Sequence, residues 1–294
     1  MVMASFLADS LALGAHWIYD TESISQIFGR VDSLLKPGPN SYHSKKEKGD
    51  FTHYGDQTLV LLQSLAEKKG FDLPDFSARW QALFNGYEGY VDQTTRGTLS
   101  QYAEGKTPQH GGAPSSDLAG AARIAPLVYC LRQDLEKMVK AAREQTRMTH
   151  NHTIVIEGAD FFSRVAWRVL GGMAPVDAME KVSQERFKDS PLSKWVVAGL
   201  ASKTEKSVSA ISRFGQSCHV EEAFPGVVHL IARYEHDLKE ALIQSVMAGG
   251  DSAARGMMVG MVLGAHLGPE SIPQEWVSEL REKEQITELL EKFI

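Results

Sequence analysis

The sequence predicts an all-α fold, a compact single-domain helical bundle, and three observations carry that expectation. Apolar residues recur at helical spacing along nearly the whole chain. Alternation of useful strand length is almost absent. Helix start and stop residues stand where the periodicity needs them. The chain has 294 residues, 43% hydrophobic and 23% charged, which is enough to bury a substantial core. Its net charge of −6, mixed along the chain, lacks the basic stripe of a nucleic-acid binder.

The first helix is expected over about 3–18. Its apolar start, MVMASFLADSLALGAHW, has no basic leader and is interrupted by Asp9, so it reads as a buried helix and not a signal peptide. Further helices are expected near 57–69, 74–90, 92–104, 117–132, 134–147, 154–171, 175–186, 191–201, 219–233, 235–248, 252–266 and 284–293. Gly70 suits the position after a helix end, Pro74 a first helical position, and Asp134 and Ser190 suit N-caps. The small-residue runs Ala119–Ala125 and Met257–Ala265 let helix axes approach closely, so they belong at the centre of the bundle. Met257–Gly268, the most apolar later run, is far short of a membrane span. No repeat, linker or low-complexity tail divides the chain.

Two long loops are expected. One runs from Gly29 to Thr52, the other from Glu104 to Asp117. Loops of that length are often lids or binding loops, and otherwise mobile surface excursions. The two cysteines, Cys130 and Cys218, form no CxxC pair, which suits a reducing, cytoplasmic compartment. Cys130 lies in the apolar run IAPLVYCLR and reads as a small core residue.

The chemistry sits in two rows. THYGDQTLVLLQSLAEKKG, from Thr52, sets Asp56, Gln57 and Thr58 in succession ahead of an apolar run. AGGDSAARGMMVGMVLGA, from Ala248, sets two glycines before Asp251 and Ser252 and then a small-residue helix. Each row alone is explained by capping, since Asp is a favoured N-cap. Two Gly–Asp helix starts that converge would instead turn two carboxylates toward one cleft, able to hold a hard cation, orient a water or bind ribose hydroxyls. Other candidates are less specific. His16, Trp17, Tyr19 and Asp20 cluster after the first helix, and the rings suit either stacking on a ligand or core packing. His150 and His152 form an H-N-H run that chelates only in a loop, and the Gly111–Gly112 pair is too short a signal for a phosphate loop by itself.

Taken together, the rows from Asp9 to about Gly268 resemble the ADP-ribosylglycohydrolase family. ADSLALGAH (Ala8–His16) is similar to its first motif, Gly55-Asp56-Gln57-Thr58 to its Thr-Asp-Asp-Thr row, and Gly249-Gly250-Asp251-Ser252-Ala253-Ala254 to its Gly-Gly-Asp-Thr-Asp-Thr row. ARIAP (Ala122–Pro126) and Thr149-His150-Asn151 also match. The pattern HWIYD, YGDQT and GGDSAARG is nearest to the branch that includes the J-type jellyfish lens crystallins and selenoprotein J.

The resemblance implies an all-α fold and cleavage of the N- or O-glycosidic bond of ADP-ribose in a small-molecule or ADP-ribosylated substrate. It implies two magnesium ions at positions that here are His16, Gly55, Asp56, Gln57, Asp251, Ala253 and Ala254. Only two carboxylates remain among these, so no two-metal centre is expected, and at most one Mg2+ or Mn2+ at Asp56 and Asp251, with His16 beside it. Asp56 and Asp251 are the expected catalytic acids, with carboxyl groups within roughly 8 Å of each other. His16, Gln57, Thr58, Gly111, Gly112, His150, Asn151, Ser252 and Arg255 are the expected ligand-binding residues. Arg255, one helical turn after Asp251, is expected to point into the cleft and pair with Asp251 or Asp56. A non-catalytic nucleotide-binding or structural relative is the alternative. The sequence sets neither the linkage cleaved nor the oligomeric state.

Overall fold

The computed structural model describes residues 1–293. In chain order its helices are α1 (Val2–Ala12), α2 (Thr21–Phe28), α3 (His53–Lys68), α4 (Leu73–Leu83), α5 (Gln93–Ala103), α6 (Ala119–Ala122), α7 (Ala125–Cys130), α8 (Leu135–Arg147), α9 (Thr153–Leu170), α10 (Pro175–Arg186), α11 (Pro191–Ala201), α12 (Ser207–Phe214), α13 (Val220–Arg233), α14 (Leu238–Met247), α15 (Ser252–Leu267), α16 (Gln274–Glu279) and α17 (Lys283–Glu291). Among the described residues there is no strand, only isolated bridges at Ala113–His150 and Asp117–His219. None of these helices is long and apolar enough to cross a membrane.

The centre is the α1–α15 pair, packed along its length and flanked by α9, α13 and α14. Small residues permit the approach. A methyl group at Gly260 would lie 2.5 Å from the Ala4 carbonyl oxygen, and one at Gly264 2.7 Å from the Ala4 Cβ. Overpacking of that kind typically costs about 1–3 kcal/mol. Met257, Met258 and Met261 fill the same helix's other faces and are fully buried. The close α1–α15 pair brings the chain following α1 against the chain preceding α15, and that meeting place positions the site.

Helix boundaries depart from expectation where tertiary contacts intervene. α1 stops at Ala12, and residues 13–17 form turns instead of more helix. Trp17 adopts the left-handed conformation (φ 64°) and donates its backbone N–H to the Gly250 carbonyl at 3.0 Å. The expected helix over 117–132 is two short pieces, with Pro126 in the first turn of α7. α2, α12 and α16 were not expected, each being eight residues or fewer. α3 begins at His53, four residues earlier than expected, because Thr52 is its N-cap and accepts the Tyr54 N–H. Asp56 therefore sits inside the first turn and caps nothing.

Candidate active site

Four chain segments are laced together by backbone hydrogen bonds at the start of α15. Gly249 and Gly250 both have positive φ (70° and 67°), which L side chains rarely adopt. A Cβ at Gly250 would also lie 2.1 Å from the Gln216 carbonyl oxygen. The double glycine thus lets the turn press against two neighbours. Gly250 N–H donates to Ile18 O at 2.9 Å and Asp251 N–H to Gln216 O at 2.9 Å. Cys218 O accepts the Leu118 N–H at 2.8 Å, and Ser116 O accepts the Val220 N–H at 2.8 Å. Residues 15–19, 116–119, 216–220 and 249–252 form one rigid knot.

Asp251 does cap α15, accepting the Ala254 N–H at 3.3 Å. It does more than cap. Tyr54, in the first turn of α3, donates its hydroxyl to Asp251 Oδ2 at 3.2 Å, so the starts of α3 and α15 meet. His16 Nε2 stands 3.8 Å from Asp251 Oδ1. Asp117 and Cys218 complete the group: one ligand-type atom from each of Asp117, Cys218 and Asp251 lies within 4.8 Å of the others. Burial raises the pKa of Asp251, against the pull of the nearby Arg255 charge. Burial, and then the Asp251 charge, pushes Asp117 well above the carboxylate range. Burial thus opposes ionisation of both neighbouring carboxyls, and the charge of Asp251 adds to that at Asp117.

Beside this pair lies a cluster of rings. His16 stacks on Trp17 with ring centroids 4.4 Å apart, and His43 lies 5.4 Å from His16 and 5.7 Å from His53. Tyr90 closes on Trp17 at 5.0 Å. Burial pushes the His43 pKa down to about 3 and holds His16 well below the usual imidazole range, so both rings are neutral. All four ring nitrogens of His16 and His43 are buried without a hydrogen-bond partner. Buried polar atoms of that kind are rare in stable proteins and are met by an ordered water, a ligand or an ion. His53 Nε2 lies 3.1 Å from Asp92 Oδ2. A cavity of about 370 Å³ adjoins the cluster, lined by His16, Trp17, Phe28, Pro39 and Tyr42 among others. A larger cavity of about 700 Å³ lies elsewhere, and its Arg143 and Arg164 are already paired with Asp160.

The expected site residues divide. Asp251, His16 and Ser252 lie at the knot, and the Ser252 hydroxyl is buried without a partner. Asp56 is held differently: Lys46 Nζ binds its Oδ2 at 2.6 Å, and the Tyr87 hydroxyl donates to the same oxygen. The carboxylate gathered with Asp251 is that of Asp117. Gln57 and Thr58 are corrections. The Gln57 Oε1 accepts from Trp80 Nε1 at 2.7 Å and Arg123 Nη1 at 2.8 Å, and the Thr58 hydroxyl donates to Tyr54 O at 2.8 Å. Both spend these hydrogen bonds on core partners.

Arg255 is a further correction. It is buried, but its Nη2 donates to Ser245 O at 2.6 Å and Gly249 O at 2.7 Å, and it forms no ion pair with either aspartate. It braces the glycine turn from behind. Gly111 and Gly112 serve close packing, since added Cβ atoms would lie 2.2 Å from the Tyr102 ring and 2.0 Å from Arg147 O. That segment does lie beside the histidine run: Ala113 N–H donates to Thr149 O at 3.0 Å and Asn151 N–H to Ala113 O at 2.8 Å. His150 is buried, accepts or donates at Thr149 Oγ1 (2.8 Å), and is pushed down to about 3 by burial and then by Arg123. Asn151 is exposed.

Sequence reasoning missed Asp117, Cys218, His43, His53 and Lys46. His53 and Tyr54 stood in the quoted row, and Lys46 and His43 stood in the long loop, so their presence was legible but not their partners. Asp117 and Cys218 carry no local signal, because a hundred residues separate them.

The residues do not fit two magnesium ions at the positions the resemblance implies. Gln57 is committed to Trp80 and Arg123, Ala253 and Ala254 offer no side-chain donor, and Asp56 already holds an ammonium. Among the described residues, the group able to take a metal is Asp117, Cys218 and Asp251.

Comparison with known proteins agrees with this architecture. A solved structure described as an ADP-ribosylglycohydrolase-related protein complex superposes with a TM-score of 0.78 at 22% identity, covering 99% of this chain and 94% of that one. Crystallin J1A of Tripedalia cystophora is 24% identical, over 99% of this chain and 94% of the relative. Human ADP-ribosylhydrolase ARH3 is 26% identical, over 88% and 82%. The ADP-ribosyl-[dinitrogen reductase] glycohydrolase of Rhodospirillum rubrum is 24% identical, over 79% and 74%. The family model described as ADP-ribosylglycohydrolase matches residues 1–294, the whole length that carries the Asp251 turn and the α1–α15 centre, and this chain belongs to that family.

Proposed function

We propose that the protein is a divergent glycosidic hydrolase of the ADP-ribosylglycohydrolase type, releasing ADP-ribose or a related ligand from an N- or O-linked small-molecule or protein substrate. The observation that supports it above the others is the buried Asp251–Asp117 pair, set at the glycine turn that matches the family's motif. Glycoside cleavage needs an acid to protonate the leaving atom and a carboxylate to stabilise the oxocarbenium-like transition state or orient the attacking water. Two carboxyls that share a proton supply both roles. The protonated member gives its proton to the leaving group, and the ionised member faces the developing positive charge. The apolar cavity beside Trp17, Phe28 and Tyr42 suits a flat heterocycle, and the unpartnered His16, His43 and Ser252 atoms suit ribose hydroxyls. The free thiols of Cys130 and Cys218 fit action in a reducing compartment such as the cytoplasm.

The test is release of free ADP-ribose from peptides carrying ADP-ribosylated serine or arginine, compared between the parent and Asp251→Asn. Release that disappears in the variant supports the reading. A second reading, a binding or structural relative without turnover, is favoured by one observation: Lys46 already neutralises Asp56, and His43 of the same loop is packed into the ring cluster. It predicts no release from either linkage.

A further inference from the structure

We propose that the cavity beside His16 and Trp17 receives the leaving group of the substrate, and that this group is a heteroaromatic ring of nucleobase or pyridine-carboxamide type. The substrate is then a small N-riboside and not a modified protein. This inference rests on the hydrolase reading above and narrows it.

The cavity leads from the surface to the reaction centre. Its lining includes Ile27 and Tyr42, which are 64% and 60% exposed, and also His16, which is 3% exposed. The first two therefore mark its mouth and His16 its deep end. His16 Nε2 lies 3.8 Å from Asp251 Oδ1, so the deep end adjoins the carboxyls. A ring seated there places its glycosidic bond beside the groups that would break it.

Size and walls select the occupant. The volume of about 370 Å³ is near the lower end of the usual range for small-molecule pockets, about 300–1,000 Å³. It suits one flat ring system and is small for a polypeptide segment. Trp17, Ile18, Phe28, Pro39 and Tyr42 make the walls apolar. Trp17 and Tyr42 meet edge to face, with centroids 5.2 Å apart, which is the packing aromatic rings offer a further ring. Trp17 holds its place in a left-handed conformation (φ 64°), which is uncommon for a bulky residue and persists where the surroundings fix it.

Polar recognition falls to His16. Burial keeps its imidazole neutral, and a neutral imidazole offers one N–H donor and one acceptor nitrogen. Among the described residues neither nitrogen has a partner. The edge of a nucleobase or of a primary carboxamide carries a donor beside an acceptor and can meet either nitrogen. An apolar side chain of a peptide can meet neither.

The loop that walls the cavity is fastened down. Residues 38–42 belong to the segment from Gly29 to Thr52, in which Val31, Leu34 and His43 are buried. Trp276 Nε1 donates to Asp32 O at 2.8 Å, Arg281 N–H to Gly49 O at 3.1 Å, and Lys46 Nζ binds Asp56 at 2.6 Å. A small ring enters without moving this wall, whereas a protein surface carrying the sugar has to displace it.

The chemistry balances as hydrolysis. The C–N bond breaks with its electron pair going to the ring nitrogen, and water adds its oxygen to the anomeric carbon. The proton that water loses passes to the ionised carboxyl. A nucleobase leaves with the proton of the other carboxyl, while a pyridinium leaves as neutral pyridine and needs none.

Binding and turnover of the full-length protein test the two halves separately. Saturation-transfer NMR with free adenine and free nicotinamide reads the ring site without chemistry. At least one should bind, and Ile27→Asp and Tyr42→Ser, both at exposed positions, should each weaken binding about tenfold or more. A thermal melt confirms that each variant is folded. In turnover, a purine nucleoside, NAD+ and peptides carrying ADP-ribosylated serine or arginine are compared by kcat/KM. An N-riboside should be cleaved and the peptides about a hundredfold more slowly or not at all, and Ile27→Asp should raise the KM of the riboside. Failure of both rings to bind, binding unchanged in both variants, or peptides cleaved as well as ribosides overturns the inference. Peptide cleavage without ring binding overturns it and leaves the hydrolase reading standing. Ring binding lost in the variants, with no substrate cleaved, sustains the ring site and removes the hydrolase reading.

Discussion

Asp56 and Asp251 stand in near-identical sequence settings, a glycine before and a polar residue after, yet α3 and α15 surround them with opposite chemistry. Asp56 lies inside the first turn of its helix and is satisfied by an internal cation, Lys46, and by the Tyr87 hydroxyl. Asp251 is a true N-cap and meets a second acid, a thiol and a neutral imidazole, and among the described residues no lysine or arginine pairs with it. Burial raises the pKa of both carboxyls; the Lys46 charge and hydrogen bonds work against it at Asp56, and the Arg255 charge and the cap hydrogen bond work against it at Asp251. The lesson is that a Gly–Asp row marks where an acid sits, while the groups arriving from distant segments decide whether it is a structural anchor or a reactive group.

The comparison breaks most sharply on turnover. Asp251→Asn keeps a good cap, so the fold should persist while ADP-ribose release falls on the order of 10²–10⁴-fold, the usual worth of a positioned acid or base. Asp56→Asn should cost far less activity. Similar losses in both variants would return Asp56 to the chemistry.

Stability should separate the two acids in the other direction. Lys46→Met strands the Asp56 carboxylate. Breaking a buried pair costs about 3–5 kcal/mol, and the partial exposure of this one reduces the expectation to about 2–3 kcal/mol. Lys46→Met combined with Asp56→Asn should recover most of it in urea denaturation. No recovery would show that the pair is not coupled.

Arg255→Met probes the α15 side. Two carbonyls, of Ser245 and Gly249, lose a charged donor, so a loss of about 2 kcal/mol is expected. Metal or ligand affinity should fall with it, since the glycine turn loosens. An unchanged melting temperature would remove Arg255 from the support of Asp251.

Per pH unit, the smallest effect is on pH dependence. Burial lifts Asp9 to about 7 from 3.8, although its oxygens meet Thr52 N and Oγ1 at 2.7 and 2.6 Å. Between those values the folded chain holds a proton that the unfolded chain has released, so this group's contribution to stability falls as pH rises through the window. The slope is at most about 1.4 kcal/mol per pH unit. Asp9→Asn, which mimics the protonated form, should flatten it. His150 works with the opposite sign: its pKa is pushed from 6.5 to about 3, so the unfolded chain takes up a proton first and stability falls as pH drops below 6.5. Melting temperatures from pH 4 to 8 for parent and Asp9→Asn measure both limbs.

What the sequence by itself determined was periodicity and punctuation. Helical spacing announced α8, α9 and α15 nearly to the residue, because caps such as Asp134 and Asp251 and amphipathic repeats are local properties. The small-residue run in α15 announced its central place, and the Gly249-Gly250-Asp251 row announced the turn of the site. The tertiary structure alone decided what faces what. Trp17 ends α1 early because Gly250 claims its N–H, Gln57 turns to Trp80 and Arg123, and Arg255 turns to carbonyls. Asp117 and Cys218 reach Asp251 only through the packing of segments distant from it and from each other along the chain. Hydrogen bonding and charge act over a few ångströms in space, and one-dimensional spacing carries no record of them once the chain has crossed the bundle.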